Sequence, residues 1–203
     1  MTISGAPRLA LLTALCCLLL GGASLGLGLL EGAIALWGFG AACLLQVPPT
    51  LSLRRRALDG LGNSGLERER LTLRSVSFLL RFLALGMAMA AVSAWLGERT
   101  PQASLAPLGA ALLALGCLAP LWRLKASLAG LHPALALDAH RARNLLAWAA
   151  LLLAAGVLGR WFPWADALAG LVMAVGLFLE GQSLAKATTL QAACGSCGSC
   201  GCG

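Results

Sequence analysis

The amino-acid sequence predicts an all-α, polytopic membrane protein of six transmembrane helices with both termini in the cytoplasm. Three observations predict it. First, 59% of the 203 residues are hydrophobic and only 11% are charged, whereas soluble domains carry about a quarter charged residues. Water cannot cover that much apolar surface, so a bilayer must be the solvent. Second, six apolar stretches are each long enough for the roughly 20 residues that cross about 30 Å of hydrocarbon. Third, the cations between them fall almost entirely on one side.

The first span, about 9–30, follows Arg8 and stays apolar to Leu30 with no polar cleavage region, so it reads as a span rather than a leader. Only Glu31 and Gly32 separate it from the second, about 33–53, which implies a tight turn. Pro48 and Pro49 are expected to kink or end the inner turn of that second helix. A polar loop of Arg54–Arg70 follows, and its cluster Glu67-Arg68-Glu69-Arg70 opens the third helix or lies at the headgroups. The remaining spans are about 73–97, 105–122, 135–158 and 165–185. His132, before Pro133, reads as a helix-start residue, and Asp166 as a cap for the outer end of its own helix. Residues 1–190 thus form the membrane domain and 191–203 a flexible Cys-rich tail that binds metal.

Numbering the loops from an inside N-terminus assigns twelve cations to the inner side: Arg8, Arg54, Arg55, Arg56, Arg68, Arg70, Arg74, Arg123, Lys125, Arg141, Arg143 and Lys186. Only Arg99 and Arg160 fall outside. This is a strong positive-inside bias, and the expected location is an inner (plasma) membrane of bacterial type. Trp95, Trp161 and Trp164 fall at the outer rim and Trp122 at the inner one, while Trp37 and Trp148 read as packing residues. The net charge of +7 is therefore a matter of topology. No basic helix or aromatic platform suggests nucleic acid.

Ionisable residues at membrane depth are costly and are functional candidates by default. The fifth span is richest in them, with Asp138, His140, Arg141, Arg143 and Asn144. His140 and Asn144 are four apart and share a helix face, which could supply half of a cation site. The competing reading is an inner interface at which His140, Arg141 and Arg143 meet headgroups. Arg143 flanks the His140 face and opposes cation binding there. In the third span Arg81 lies deep, at a level similar to Glu180 in the sixth, and the two are expected to form a structural pair. Gln46 is a lone amide in the second span.

Cys16, Cys17, Cys43 and Cys117 lie in apolar spans, where a thiol is usually a small packing residue. The tail differs. Cys194, Cys197, Cys200 and Cys202 place four thiols in nine residues, with Gly and Ser spacers that let the backbone wrap. Four thiolates close a tetrahedral Zn2+ site and suit Cd2+, Cu+ or Hg2+ equally. Palmitoylation and low-complexity drift are the bland alternatives.

Trp164-Ala-Asp166-Ala-Leu-Ala-Gly-Leu, continuing to Leu179-Glu-Gly181, resembles the sixth helix of the cation diffusion facilitator family of metal/proton antiporters, and Leu30-Glu-Gly-Ala-Ile-Ala-Leu36 resembles the start of its second. The resemblance implies six spans, inner termini, and metal ligands at paired positions of the second and fifth helices. Aligned from Gly32, the second-helix positions fall on Ala42 and Gln46, and the fifth-helix pair on His140 and Asn144. Asp138 substitutes only in a different register. The carboxylates of the family pattern are thus missing, and a Cys tail stands where the resemblance implies a cytoplasmic domain. A site of His, Asn and Gln lacks the negative charge that would offset a dehydrated divalent ion.

The sequence therefore predicts a membrane transporter, working as an efflux protein, of heavy-metal cations such as zinc, cadmium or a softer metal. The metal is substrate or tail ligand, and no tightly bound cofactor is expected. The tail would capture metal and pass it to His140, Asn144 and Gln46. The rival reading is a membrane-anchored metal-binding or accessory protein with a degenerate transport site. The expected partners are the bilayer and metal ions, and a homodimer is compatible with either reading. No Ser/His/Asp set or second His/carboxylate cluster suggests an enzyme.

Overall fold

The structure, a computed structural model, describes residues 5–59, 66–97 and 105–196, with side chains placed for all of these except Leu66 and 187–196. Six long helices account for nearly all of it: α1 (Ala6–Glu31), α2 (Ile34–Leu58), α3 (Leu66–Leu96), α4 (Ala106–Leu128), α5 (Pro133–Leu158) and α6 (Ala165–Ser196). Each is long and apolar enough to cross a membrane. There is no strand among the described residues. Large apolar side chains such as Leu19, Leu30, Phe78, Met89 and Leu113 stand exposed around the bundle. Lipid, not water, is the solvent that tolerates such a surface. The chain is an integral membrane protein.

The helices alternate in direction, so the starts of α1, α3 and α5 share one face with the ends of α2, α4 and α6. That face carries the Arg residues of the α2 end and the α3 start, where Arg56 Nη1 meets Glu69 Oε2 at 2.5 Å. Glu67 and Glu69 both lie in the first turn of α3. At the opposite face Trp95, Trp161 and Trp164 are exposed. α2 does not end at Pro48 and Pro49 but runs nine residues further to Leu58. Tertiary packing around it outweighs the lost backbone bonds, and Thr50 Oγ1 donates to the Gln46 carbonyl at 2.8 Å within the same stretch. α6 extends past residue 190 to Ser196, so Cys194 lies on helical backbone.

Small residues set the helix packing, as expected where lipid offers no hydrophobic drive between helices. Gly32, with φ +69°, makes the left-handed turn that returns the chain from α1 to α2. Across that hairpin a Cβ on Gly21 would lie 2.9 Å from the Gly40 carbonyl oxygen, and one on Gly28 would strike the Trp37 backbone. Gly21 and Gly28 are seven apart and share one α1 face, so the two helices lie almost backbone to backbone. α3 packs on α6, where Ser77 Oγ donates to the Gly181 carbonyl at 2.7 Å. α4 packs on α5 with Gly156 beneath Leu108. α6 meets α5 where Gly176 receives the Trp148 ring.

Asp166 does not cap its own helix. Its Oδ2 accepts the Ile34 amide at 2.7 Å and its Oδ1 the Ala35 amide at 3.1 Å, capping the start of α2 instead. α5 begins as expected, with His132 Nδ1 accepting the Ala134 amide at 3.1 Å.

Candidate functional site

Four ionisable side chains inside the bundle gather along α5, at its contacts with α4 and α6, in the half nearer the basic face. Arg141 is the ninth residue of α5, about 12 Å along the axis from its start. Asp138 lies one turn before it on the same side of the helix. From α4, Lys125 Nζ reaches Asp138 Oδ2 at 2.6 Å. From α6, Glu180 Oε1 stands 3.9 Å from Arg141 Nε. All four side chains are at most 12% exposed. They form a line of alternating charge, Lys125–Asp138–Arg141–Glu180, whose net charge is zero.

This line corrects one expectation directly. Glu180 pairs with Arg141 of α5 and not with Arg81 of α3. Arg81 does approach the same stretch of α6, where its Nη2 donates to the Gly181 carbonyl at 3.4 Å. Successive residues of a helix are turned by about 100°, so Gly181 faces α3 while the Glu180 carboxylate turns toward α5. Depth alone suggested the pair; helix rotation prevents it.

Around Glu180 lie Asn144, Trp148 and His140 of α5. Asn144 and Trp148 are half-buried, whereas His140 is exposed. His140 Nδ1 sits 3.1 Å from Arg143 Nη2, so the cation flanking the His140 face is in contact with it. Gln46 is buried in α2. Asp138, which in another register could have replaced the missing carboxylate, is held by Lys125. Arg141 Nε and Nη2, Glu180 Oε1 and Trp148 Nε1 make no hydrogen bond among the described residues. The Arg141–Glu180 contact is therefore an ion pair without a hydrogen bond. Among the described residues no three of His, Cys, Asp and Glu gather as a metal site. Of the tail thiols, the side chain of Cys194 and all of Cys197, Cys200 and Cys202 lie outside what the structure describes.

A pairing of thiols that the sequence did not reveal lies at mid-depth. Cys16 and Cys17 of α1, Cys43 of α2 and Cys117 of α4 come from three helices, yet Cys16 neighbours Cys117, and Cys43 neighbours both α1 thiols. Cys17 and Cys43 are fully buried, Cys16 is half-buried and Cys117 is exposed. Their only sequence signal is that each lies near the middle of its span.

The charged line offers chemistry of an unusual kind. A guanidinium and an ammonium, held inside the bundle toward its basic face, offset the charge of the two carboxylates that would otherwise attract a cation from solution. A large cleft elsewhere, between Ala91, Val92 and Trp95 of α3 and Trp164, Ala167, Leu168 and Leu171 of α6, is apolar throughout and has no converging polar groups. The chain matches no protein-family model and none of the curated proteins.

Proposed function

We propose that this is a membrane-embedded protein that handles thiophilic metal ions through sulfur, with a bundle derived from the cation-diffusion-facilitator plan but not used as a path for Zn2+. The observation that carries this reading is the engagement of Asp138 by Lys125 and of Glu180 by Arg141. A divalent cation entering the bundle would have to displace a fixed protein cation and lose its water without gaining free negative charge. The Cys194–Cys202 tail supplies the metal ligands instead, on the cytoplasmic side, where reducing conditions keep thiols free. On this reading both termini are cytoplasmic, since the basic face meets the positive-inside pattern.

Transport of heavy-metal cations such as zinc or cadmium across the bundle is the second reading. It is favoured by the four ionisable residues buried inside the bundle, since ionisable groups within a membrane bundle commonly mark ion pathways. Proteoliposomes decide between the two. Metal handling without conduction gives Cd2+ binding that disappears when Cys194, Cys197, Cys200 and Cys202 are changed to Ser. It also gives Zn2+ and Cd2+ uptake no greater than in empty vesicles. Protein-dependent uptake that His140→Ala abolishes would overturn it in favour of transport.

A further inference from the structure

Cys16 is the eleventh residue of α1, about 15 Å along the axis from its start, and Cys117 is the twelfth residue of α4, about 16 Å from either end. Both therefore sit near the middle of the hydrocarbon, at matching depths from the basic face on two helices that pack against each other, and Cys117 is a neighbour of the Cys16 thiol. Cys117 is exposed and Cys16 half-buried, so the pair is reachable from outside the bundle. Cys17 points about 100° away from Cys16 and is fully enclosed, with Lys125, Asp138 and Arg141 as its charged neighbours. That enclosure leaves Cys16 and Cys117 as the accessible thiols among the four.

We propose that Cys16 and Cys117 form an intramembrane two-thiolate site for a linear, thiophilic divalent ion, for which Hg2+ is the probe. Two-coordinate binding needs no third ligand, consistent with the absence of any three-ligand group among the described residues. Charge decides the valence. Each ligating thiol gives up its proton, so two Cys–SH groups and M2+ yield Cys–S–M–S–Cys and two protons released to the medium. The product is neutral, as the bilayer interior requires. A monovalent ion on the same two thiolates would leave a buried negative charge. The site deepens the sulfur-based function and rests on it only for the origin of the ion.

The test uses the full chain in micelles with Cys194, Cys197, Cys200 and Cys202 changed to Ser. Titration with Hg2+ is expected to give one bound equivalent and a thiolate-to-mercury charge-transfer absorbance. That absorbance is expected to vanish in C16S and in C117S but to survive in C43S. Without any bundle substitution, Hg2+ should also protect Cys16 and Cys117 from maleimide, as read by peptide mass spectrometry. Absence of the band in the tail-substituted chain, or a band and a protection pattern indifferent to Cys16 and Cys117, would overturn the site. Equal Hg2+ stoichiometry for wild type and tail-substituted chain would instead remove the tail and leave the pair standing.

Discussion

The Asp166 carboxylate at the head of α6 accepts the Ile34 amide at the head of α2 at 2.7 Å, joining two helices that begin 131 residues apart at the same end of the bundle. The first amides of a helix have no partner within it, and here a neighbouring helix supplies one side chain for two of them. Asp166→Ala is expected to destabilise the bundle by about 1–2 kcal/mol, the usual cost of losing an N-terminal cap. Asp166→Asn keeps one acceptor oxygen and should fall between Ala and wild type. Thermal unfolding in micelles checks the order; an Ala variant as stable as wild type would contradict it.

Glycines of α1 face two different environments, and substitutions should separate them. Gly21 abuts the Gly40 carbonyl, whereas nothing lies within 4 Å of a Cβ on Gly26. Gly21→Leu is expected to force α1 and α2 apart and to lower the unfolding midpoint clearly, an overpacking cost of about 1–3 kcal/mol or more. Gly26→Leu places a side chain in open, lipid-facing space and should be neutral or stabilising. Equal effects at the two positions would mean that the α1–α2 crossing is misplaced.

The hydroxyl of Ser77 makes a smaller but separable contribution to the α3–α6 contact. Its hydrogen bond to the Gly181 carbonyl is short and buried, but interhelical bonds of this kind in membranes average only about 0.6 kcal/mol. Ser77→Ala should therefore cost well under 2 kcal/mol, because the carbonyl keeps Arg81 as a second donor. A Ser77→Ala, Arg81→Met double variant should lose more than the sum of the two. Additivity in the same unfolding assay would show that the two donors act independently.

The helices were legible because the bilayer imposes length and apolarity on every span, and Gly32 and His132 fell where turn and cap chemistry put them. What stayed hidden depends on how each helix is rotated about its axis. Arg81 and Arg141 both lie at a depth suited to Glu180, and only the rotation of α6 selects Arg141. Asp166 looked like a cap for its own helix because capping is usually local; the adjacent start of α2 took it instead. Pro48 and Pro49 looked like a stop, yet α2 continues, since its packed neighbours hold the turn that the lost backbone bonds would release. The Lys125–Asp138 pair needed the α4–α5 contact, and Cys16–Cys117 the α1–α4 contact, neither of which is written in either helix alone.

The charged line predicts an asymmetric mutational pattern. Arg141 lies between two carboxylates, Glu180 across the α5–α6 contact and Asp138 on its own helix. Glu180 has Arg141 as its ion-pair partner, while Asp138 also has Lys125. Removing Arg141 therefore strands Glu180 inside the bundle, at a cost expected to be about 3–5 kcal/mol for Arg141→Met. Glu180→Gln leaves Arg141 with Asp138 beside it and should cost less. The Arg141→Met, Glu180→Gln double variant removes the stranded charge and should be more stable than Arg141→Met alone, because most of that penalty comes from the unpaired carboxylate and not from losing the attraction. A double-mutant cycle on unfolding free energies measures the coupling directly. A double variant whose loss equals the sum of the single losses would show that Arg141 and Glu180 do not compensate one another, and the bundle's carboxylate would again be free to meet a metal ion.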